Sequence, residues 1–296
     1  MIEPGIGAGP LSAAAEERRR GSHDAVPVGL PDFDDHDAVR RWRAEINEGW
    51  GESDDPDRPH RPEELGGVRC LVAGASPGRD TPLIIYVHGG GYCLGSAAVA
   101  IPITARLALG GEVVSVDYRL APEHPCPAAV HDVVAVCGAI GADREFALAG
   151  DSAGAGIALA AAQRLRDDGA PVPTALALFS PHLDHSTSRA QGEEAPELAA
   201  LAAAYAGDLD PADPLVSPLR GDMMSLPPTL VQVAAGEPLL GQSAALSRRL
   251  RAAGVRCDLD VWAGLWHTWH YHRIPEADRA LAEVAAFLAA SWRLGN

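Results

Sequence analysis

Short apolar runs that alternate with helical stretches constrain the fold of this chain more than any other feature. The runs are continuous rather than alternating in polarity, which is typical of strands buried on both faces. They lie at residues 83–88, 112–118, 146–150, 175–181, 229–236 and 257–264. The helical stretches between and after them cover residues 127–140, 155–169, 243–255 and 275–294. This order predicts an α/β fold: a mostly parallel sheet covered by helices on both faces, with ligands at the carboxyl ends of the strands.

Two regions fall outside this alternation. Residues 1–30 are rich in Gly, Ala, Pro and Arg, and we expect them to be mobile. Residues 36–50 carry Trp42 and Ile46 on one stripe, a spacing that predicts an amphipathic helix. The acidic, Ala- and Pro-rich stretch 184–215 has no strand pattern, so we expect an insertion over the carboxyl edge of the sheet.

Size and charge limit the class of protein. With 296 residues the chain has room for one large α/β domain or two small ones. A formal net charge of −16 argues against a nucleic-acid or anionic-membrane partner, because both require a basic face. No run of about 18 apolar residues is present, so no membrane-spanning segment is predicted.

Cysteine usage and the N-terminal sequence favour a cytoplasmic location. The N-terminus has an early acid, and its arginines follow the small residues, which is not the order of a secretory signal. The cysteines are odd in number and far apart, which favours buried free thiols in a reducing compartment over a disulfide framework. They are Cys70, Cys93, Cys126, Cys137 and Cys257.

Residues 150–154 read Gly-Asp-Ser-Ala-Gly, a G-x-S-x-G stretch between a predicted strand and a long helix of small residues. A nucleophile elbow requires that context, because Ser152 would stand on a sharp strand-to-helix turn without room for larger neighbours. The helix N-terminus behind it offers backbone N–H groups to a developing oxyanion. The alternative is a Gly-rich turn in which Ser152 is an ordinary N-cap.

Three glycines follow the first predicted strand and form a second motif, from His88 to Tyr92. They let the backbone approach a ligand and aim N–H groups at it, as in an HGGG-type oxyanion loop. A plain flexible loop is one alternative. A phosphate cradle is another, but the Lys-Ser/Thr of a P-loop and the spaced glycines of a dinucleotide site are absent from the sequence. The two motifs in one chain, each after a strand, favour the oxyanion loop.

A general base is expected last in the chain, and three histidines follow the last predicted strand: His267, His270 and His272. His267 lies closest to the strand end, so it is best placed to reach a serine at the sheet edge. We expect the other two to be core or surface residues. A metal site is the alternative, but no carboxylate or Cys lies at ligand spacing, and no metal is predicted.

Together these motifs resemble the hormone-sensitive-lipase-like family of α/β hydrolases, in its bacterial carboxylesterase branch. The resemblance extends over roughly residues 80–290 and includes the stretches 116–133, 226–240 and 262–270. It implies the α/β-hydrolase fold with a helical cap, a nucleophile at Ser152 and a base at His267. It also implies an oxyanion hole formed by the N–H groups of Gly90, Gly91 and Ala153.

The resemblance further implies a division of the chain. A flexible N-terminus and cap helix would occupy residues 1–60, the catalytic domain residues 61–183 and 216–296, and a cap insertion residues 184–215. The cap would control the size of the acyl and alcohol groups. The predicted substrate contacts are Tyr92, Asp151 and Trp266.

The acid that orients the histidine departs from the family pattern. The family commonly has Asp where this chain has Glu237, and a second acidic position a few residues later is here Gly241 or Gln242. Glu237 follows a predicted strand and lies after the serine and before the histidine, as a triad acid must, and the next residue, a proline, biases it towards an extended conformation. The alternatives are Asp213 in the insertion, another acid, or no functional acid. A further departure is Ala155, where the family commonly has a second elbow glycine.

These residues predict a serine carboxylesterase that hydrolyses small esters with short-to-medium acyl chains through an acyl-enzyme. The first alternative is a metabolite-tailoring acyltransferase, cyclase or dehydratase on the same fold. The second is a small-molecule receptor, which the presence of Ser152 and His267 disfavours. We expect a small-molecule ester as the partner, with no cofactor, no nucleic acid and no membrane, and a homodimer is left open.

Overall fold

An eight-stranded sheet forms the centre of the structure, a computed structural model that describes residues 10–21, 29–50, 60–74, 83–186 and 196–294. Its order is β1-β2-β4-β3-β5-β6-β7-β8. The first two strands join antiparallel, and the strands from β4 to β8 across the sheet are parallel. The strands are β1 (Arg61–Leu65), β2 (Val68–Ala73), β3 (Leu83–Val87), β4 (Glu112–Val116), β5 (Ala147–Asp151), β6 (Leu176–Phe179), β7 (Thr229–Ala234) and β8 (Cys257–Trp262).

Helices cover both faces of this sheet. In chain order they are α1 (Ala13–Gly21), α2 (His36–Trp50), α3 (Ile101–Leu107), α4 (Ala128–Gly141), α5 (Ala153–Asp167), α6 (Pro196–Ala206), α7 (Leu240–Ala252) and α8 (Pro275–Leu294). Helices α4, α5 and α7 pack on one face, and α3 and α8 on the other. No helix in these described ranges is both long enough and apolar enough to cross a membrane.

Alternation along β3 shows how continuous apolar strands serve both faces. Leu83, Ile85 and Val87 belong to the core beneath α4 and α5, whereas Ile84 and Tyr86 belong to the core beneath α3 and α8. Successive strand residues point to opposite faces, so a strand covered on both sides must be apolar throughout.

All six predicted strands are present, as β3 to β8, together with the predicted helices at α2, α4, α5, α7 and α8. The hairpin β1–β2 escaped prediction, because β1 is an edge strand with three charged residues among its five. Its signal was the Gly66-Gly67 pair. Both glycines have positive φ, and Leu65 pairs with Val68 across the two-residue turn that such a pair favours.

The segment around α1, within residues 1–30, packs against α8 and the loop that follows β8. The backbone N–H and the hydroxyl of Ser12 donate to the Glu276 carboxylate of α8, at 2.6 and 2.8 Å. Ala15 is fully buried against the loop that follows β8. Residues 1–9, 22–28 and 51–59 of the predicted N-terminal region, and residues 187–195 of the predicted insertion, lie outside the described residues.

Candidate active site

Ser152 occupies the turn between β5 and α5. Its backbone has φ 50° and ψ −118°, an uncommon conformation for a residue with a side chain and one typical of a nucleophile elbow. The turn is close enough to β3 that a Cβ atom on Gly154 would lie 2.1 Å from the Val87 carbonyl oxygen. The Ser152 N–H donates to the Phe179 carbonyl at 2.8 Å, and its own carbonyl accepts from the His182 N–H at 3.1 Å. The end of β6 and the loop after it therefore hold both the N–H and the carbonyl of the serine backbone.

A continuous hydrogen-bonded chain joins Ser152, His267 and Glu237. His267 Nε2 lies 3.0 Å from Ser152 Oγ, and His267 Nδ1 lies 2.8 Å from Glu237 Oε2. The second carboxylate oxygen, Oε1, accepts from the Ala234 N–H at 3.1 Å. The Glu237 side chain is 1% exposed and that of His267 is 32% exposed. The carboxylate is thus shielded from water, whereas the imidazole reaches the surface of the site.

The competing acid and the other two histidines have different partners. Asp213 Oδ1 accepts from the Leu215 N–H at 2.8 Å, within its own turn. His270 is fully buried, and its Nε2 lies 3.0 Å from Gln232 Oε1 beneath the sheet edge. Burial lowers the pKa of His270 well below its ordinary value and that of His272 to about 4.

Two residues that the sequence reasoning missed anchor the loop that carries His267. Ser180 Oγ, at the end of β6, accepts from the Thr268 N–H at 3.3 Å. Arg106 of α3 donates to the carbonyl oxygens of His270 and His272 on the far side of the same loop. Neither residue belongs to a catalytic motif, and their role depends on contacts between segments distant in sequence.

The predicted oxyanion groups lie at one end of the site. Gly90 has φ 123° and Gly91 has φ 58°, conformations in which glycine is favoured, and Ala153 is the first residue of α5. The Gly90 carbonyl accepts from the N–H groups of Cys93 and Leu94, at 3.2 and 2.9 Å, which closes the loop on itself. Within the described chain, no protein acceptor takes the N–H of Gly90, Gly91 or Ala153. Donors in this state can serve a developing negative charge.

The His88 side chain supports this loop from below. Its ring is 1% exposed and stacks on Tyr118 with a centroid distance of 4.2 Å. Its Nδ1 lies 2.8 Å from the Gly89 carbonyl oxygen. Burial lowers the pKa of His88 to about 4, so the ring is neutral near pH 7.

The three predicted substrate contacts are all buried behind the site. Asp151 and Tyr92 are each 2% exposed and Trp266 is 7% exposed. The Tyr92 ring stacks on Tyr205 at 3.8 Å, and its hydroxyl donates to the His182 carbonyl. Trp266 packs in an apolar cluster beside α1 and α8, and Asp151 bonds to protein groups. Direct contact with substrate does not fit these placements; the side chains brace the site instead.

The loop after β6 contributes a histidine pair that the sequence reasoning did not single out. The rings of His182 and His185 lie 4.4 Å apart, and the His182 N–H bonds to the Ser152 carbonyl oxygen. Burial, and to a lesser extent the neighbouring His267, lowers the pKa of His182 to about 4. Gln242 Oε1 holds this loop by accepting from the N–H groups of Leu183 and Asp184, at 2.6 and 3.0 Å. Gln242, one of the two residues at the position that the resemblance gives as acidic, is therefore a structural brace here.

Both predicted cap regions contact the predicted oxyanion loop or the residues that directly follow it. Arg43 of α2 donates to the Cys93 carbonyl at 2.7 Å, and Asn47 accepts from the Gly95 N–H at 3.0 Å. In α6, Leu201 lies so close to Gly91 that an added Cβ atom would come within 3.0 Å of Leu201 Cδ1. The two helices therefore adjoin the edge of the site.

Comparison with known proteins gives a consistent result. The family model for the alpha/beta hydrolase fold matches residues 84–271. An acetyl-hydrolase of Streptomyces hygroscopicus is 37% identical over 74% of this chain and 79% of its own length. An esterase of Acinetobacter venetianus is 36% identical over 77% of this chain and 80% of its own. A crystal structure of an esterase from the bacterial hormone-sensitive lipase family superimposes with a TM-score of 0.78 at 33% identity, over 94% of this chain and 96% of that one.

These similarities extend over most of the chain and agree with the sheet order and the helices on both faces. The predicted α/β-hydrolase fold and the predicted enzyme class, a carboxylic ester hydrolase, are confirmed. The chain belongs to the hormone-sensitive-lipase-like family of α/β hydrolases.

Proposed function

We propose that this ester hydrolase cleaves small esters with short-to-medium acyl chains through a Ser152-His267-Glu237 triad and an acyl-enzyme. One observation carries the proposal: the hydrogen-bonded chain from Ser152 Oγ to His267 at 3.0 Å and from His267 to Glu237 at 2.8 Å. A nucleophile, a base and an orienting acid in this order form the arrangement used for acyl transfer.

In the first half of the proposed reaction, Ser152 Oγ attacks the ester carbonyl carbon while His267 Nε2 takes the hydroxyl proton. The carbonyl oxygen becomes an oxyanion, and the N–H groups of Gly90, Gly91 and Ala153 donate to it. Glu237 holds the proton on His267 Nδ1 and stabilises the imidazolium. The imidazolium then donates its Nε2 proton to the leaving alcohol, and the acyl group stays on Ser152.

In the second half, water takes the place of the alcohol. His267 Nε2 removes a proton from the water as its oxygen attacks the acyl carbonyl, and the same N–H groups stabilise the second oxyanion. Collapse of this intermediate returns the proton to Ser152 and releases the carboxylic acid. No group outside the chain is needed to balance the protons.

A preference for small substrates rests on the contacts around the oxyanion loop. Helices α2 and α6 form the proposed cap, and Leu201 limits the space beside Gly91. The relative named an acetyl-hydrolase supports an acyl group of modest size. The assignment of residues 1–60 and 184–215 to the cap remains part of this proposal.

The compartment and the assembly stay predictions. All five cysteines are buried free thiols, which supports a cytoplasmic location. Burial raises the pKa of Cys70 and Cys93 to about 12, so these thiols are unreactive near pH 7.

The proposal is tested with p-nitrophenyl butyrate and a pair of serine variants. Ser152→Ala removes the nucleophile, and we expect no turnover above background. Ser291→Ala is the matched control, because Ser291 is a buried helix serine whose hydroxyl bonds within α8. Paraoxon is expected to label the wild-type chain once, with the added mass on Ser152. Activity retained in Ser152→Ala, or label on another residue, would contradict the triad.

A further inference from the structure

Three hydrogen-bond donors from different segments converge on one oxygen atom, Oδ1 of Asp151. The Tyr86 hydroxyl lies 2.7 Å away, the Gly89 N–H 3.0 Å and the Tyr271 hydroxyl 3.0 Å. Asp151 is 2% exposed, so water does not compete for this atom. A buried carboxylate requires donors of this kind, since burial of a charge without hydrogen bonds is strongly unfavourable.

The donors connect the segments that carry the proposed chemistry. Asp151 directly precedes the nucleophile, Gly89 opens the oxyanion loop, and Tyr271 lies in the loop of His267. The packing is tight, because a Cβ atom on Gly89 would come within 2.3 Å of Asp151 Oδ2. One carboxylate therefore touches the elbow, the oxyanion loop and the histidine loop together.

The hydroxyls keep their protons in this environment. Burial, together with the charge of Asp151, holds the pKa of Tyr86 and of Tyr271 well above the ordinary value for tyrosine. Burial raises the pKa of Asp151, and the three donors oppose that rise. Both tyrosines thus remain donors, and Asp151 remains the common acceptor, at the pH at which esterases are assayed.

We propose that Tyr271, through its hydrogen bond to Asp151, is a positioning residue that holds the His267 loop in register with the oxyanion loop and Ser152. The proposal rests on the proposed triad. Ser180 and Arg106 fix the backbone of the histidine loop from other directions, so loss of the Tyr271 hydroxyl shifts the loop without releasing it. A small displacement of a general base is enough to slow proton transfer.

The two tyrosines provide a matched pair for the test. Tyr271→Phe and Tyr86→Phe each delete one hydroxyl bonded to the same oxygen, but Tyr86 belongs to β3, whereas Tyr271 belongs to the loop that carries His267. We expect kcat for p-nitrophenyl butyrate to fall about 5- to 30-fold in Tyr271→Phe, with KM changed less than about twofold. In Tyr86→Phe we expect kcat to change less than about twofold, although the melting temperature falls in both.

A second readout separates this inference from the proposed function. The rate of Ser152 phosphorylation by paraoxon depends on activation by His267 and needs no ester turnover, and we expect it to fall with kcat in Tyr271→Phe only. An inactive, unlabelled wild-type chain contradicts the triad. An active wild type with equal kcat in Tyr271→Phe, or equal losses in both variants, overturns the positioning role alone.

Asp151→Asn keeps the test decisive should Tyr271→Phe not fold. The amide oxygen still accepts from all three donors but as a neutral group, with weaker bonds. We expect kcat to fall while KM is retained, and an unchanged kcat in a folded Asp151→Asn variant overturns the proposal.

Discussion

Glu237→Gln is the most informative single substitution, because the structure specifies which atom the new amide group replaces. Glu237 Oε1 accepts from the Ala234 N–H, and Oε2 accepts from His267 Nδ1. The side chain is 1% exposed, so no water can substitute for a lost partner. The glutamine oxygen must keep the Ala234 bond, and its NH₂ group then faces His267 Nδ1.

That orientation imposes the wrong tautomer. Because the amide NH₂ only donates, His267 Nδ1 becomes an acceptor and the ring proton moves to Nε2, which faces Ser152 Oγ. An Nε2 atom that already carries a proton cannot take the serine proton. The opposite amide orientation restores the tautomer but sets NH₂ against the Ala234 N–H, which costs about 1–3 kcal/mol for an unmet buried donor.

The loss of charge adds to this cost. A hydrogen bond to an ionised group exceeds a neutral one by about 1–2 kcal/mol, and the imidazolium of the transition state loses that stabilisation. The sum is about 2–5 kcal/mol, which corresponds to a fall of about 30- to 5,000-fold in kcat.

The assay is steady-state hydrolysis of p-nitrophenyl butyrate, with circular dichroism to establish that the variant is folded. We expect KM to stay within about threefold, since Glu237 is placed to act on the base rather than on substrate. Asp213→Asn is the control, and we expect its kcat to equal that of the wild type, because Asp213 bonds only within its own turn among the described contacts. A Glu237→Gln variant within threefold of wild type, or a large loss in Asp213→Asn, refutes the assignment.

Two other predictions follow from the site and its surroundings. Leu201→Ala opens space beside Gly91, and we expect the ratio of kcat/KM for p-nitrophenyl octanoate over the acetate to rise about tenfold; an unchanged ratio removes Leu201 from the wall of the site. Burial lowers the pKa of His88 to about 4, so between pH 6.5 and 4 the unfolded chain binds a proton that the folded chain does not. The free energy of unfolding therefore decreases as the pH is lowered through this range. His88 alone predicts a loss of about 2 kcal/mol in the free energy of urea unfolding from pH 7.5 to pH 5, and His182 acts in the same direction. Equal free energies of unfolding at pH 7.5 and pH 5 would contradict the burial of His88 as a neutral ring.

The inward direction of the Asp151 side chain follows from the alternation of residues along β5. Residues of one strand alternate between faces, so Asp151 points to the same side as Ala147 and Ala149, into the core of Tyr86. Its position next to Ser152 suggested substrate contact, yet the strand period directs its side chain inward. Nothing in the sequence, by contrast, indicated that Tyr271 would return to the same carboxylate from 120 residues away.

The sequence by itself determined the parallel α/β sheet and predicted the elbow and the oxyanion loop, because each depends on residues that are neighbours along the chain. Apolar strands, glycines around a turn and a helix of small residues act locally. Only the tertiary structure brought Glu237 rather than Asp213 to His267, 30 residues away, and His267 to Ser152, 115 residues away. Such pairings are decided by the order of strands across the sheet, which sets the loops that meet at its carboxyl edge, and that order is not written in any single segment.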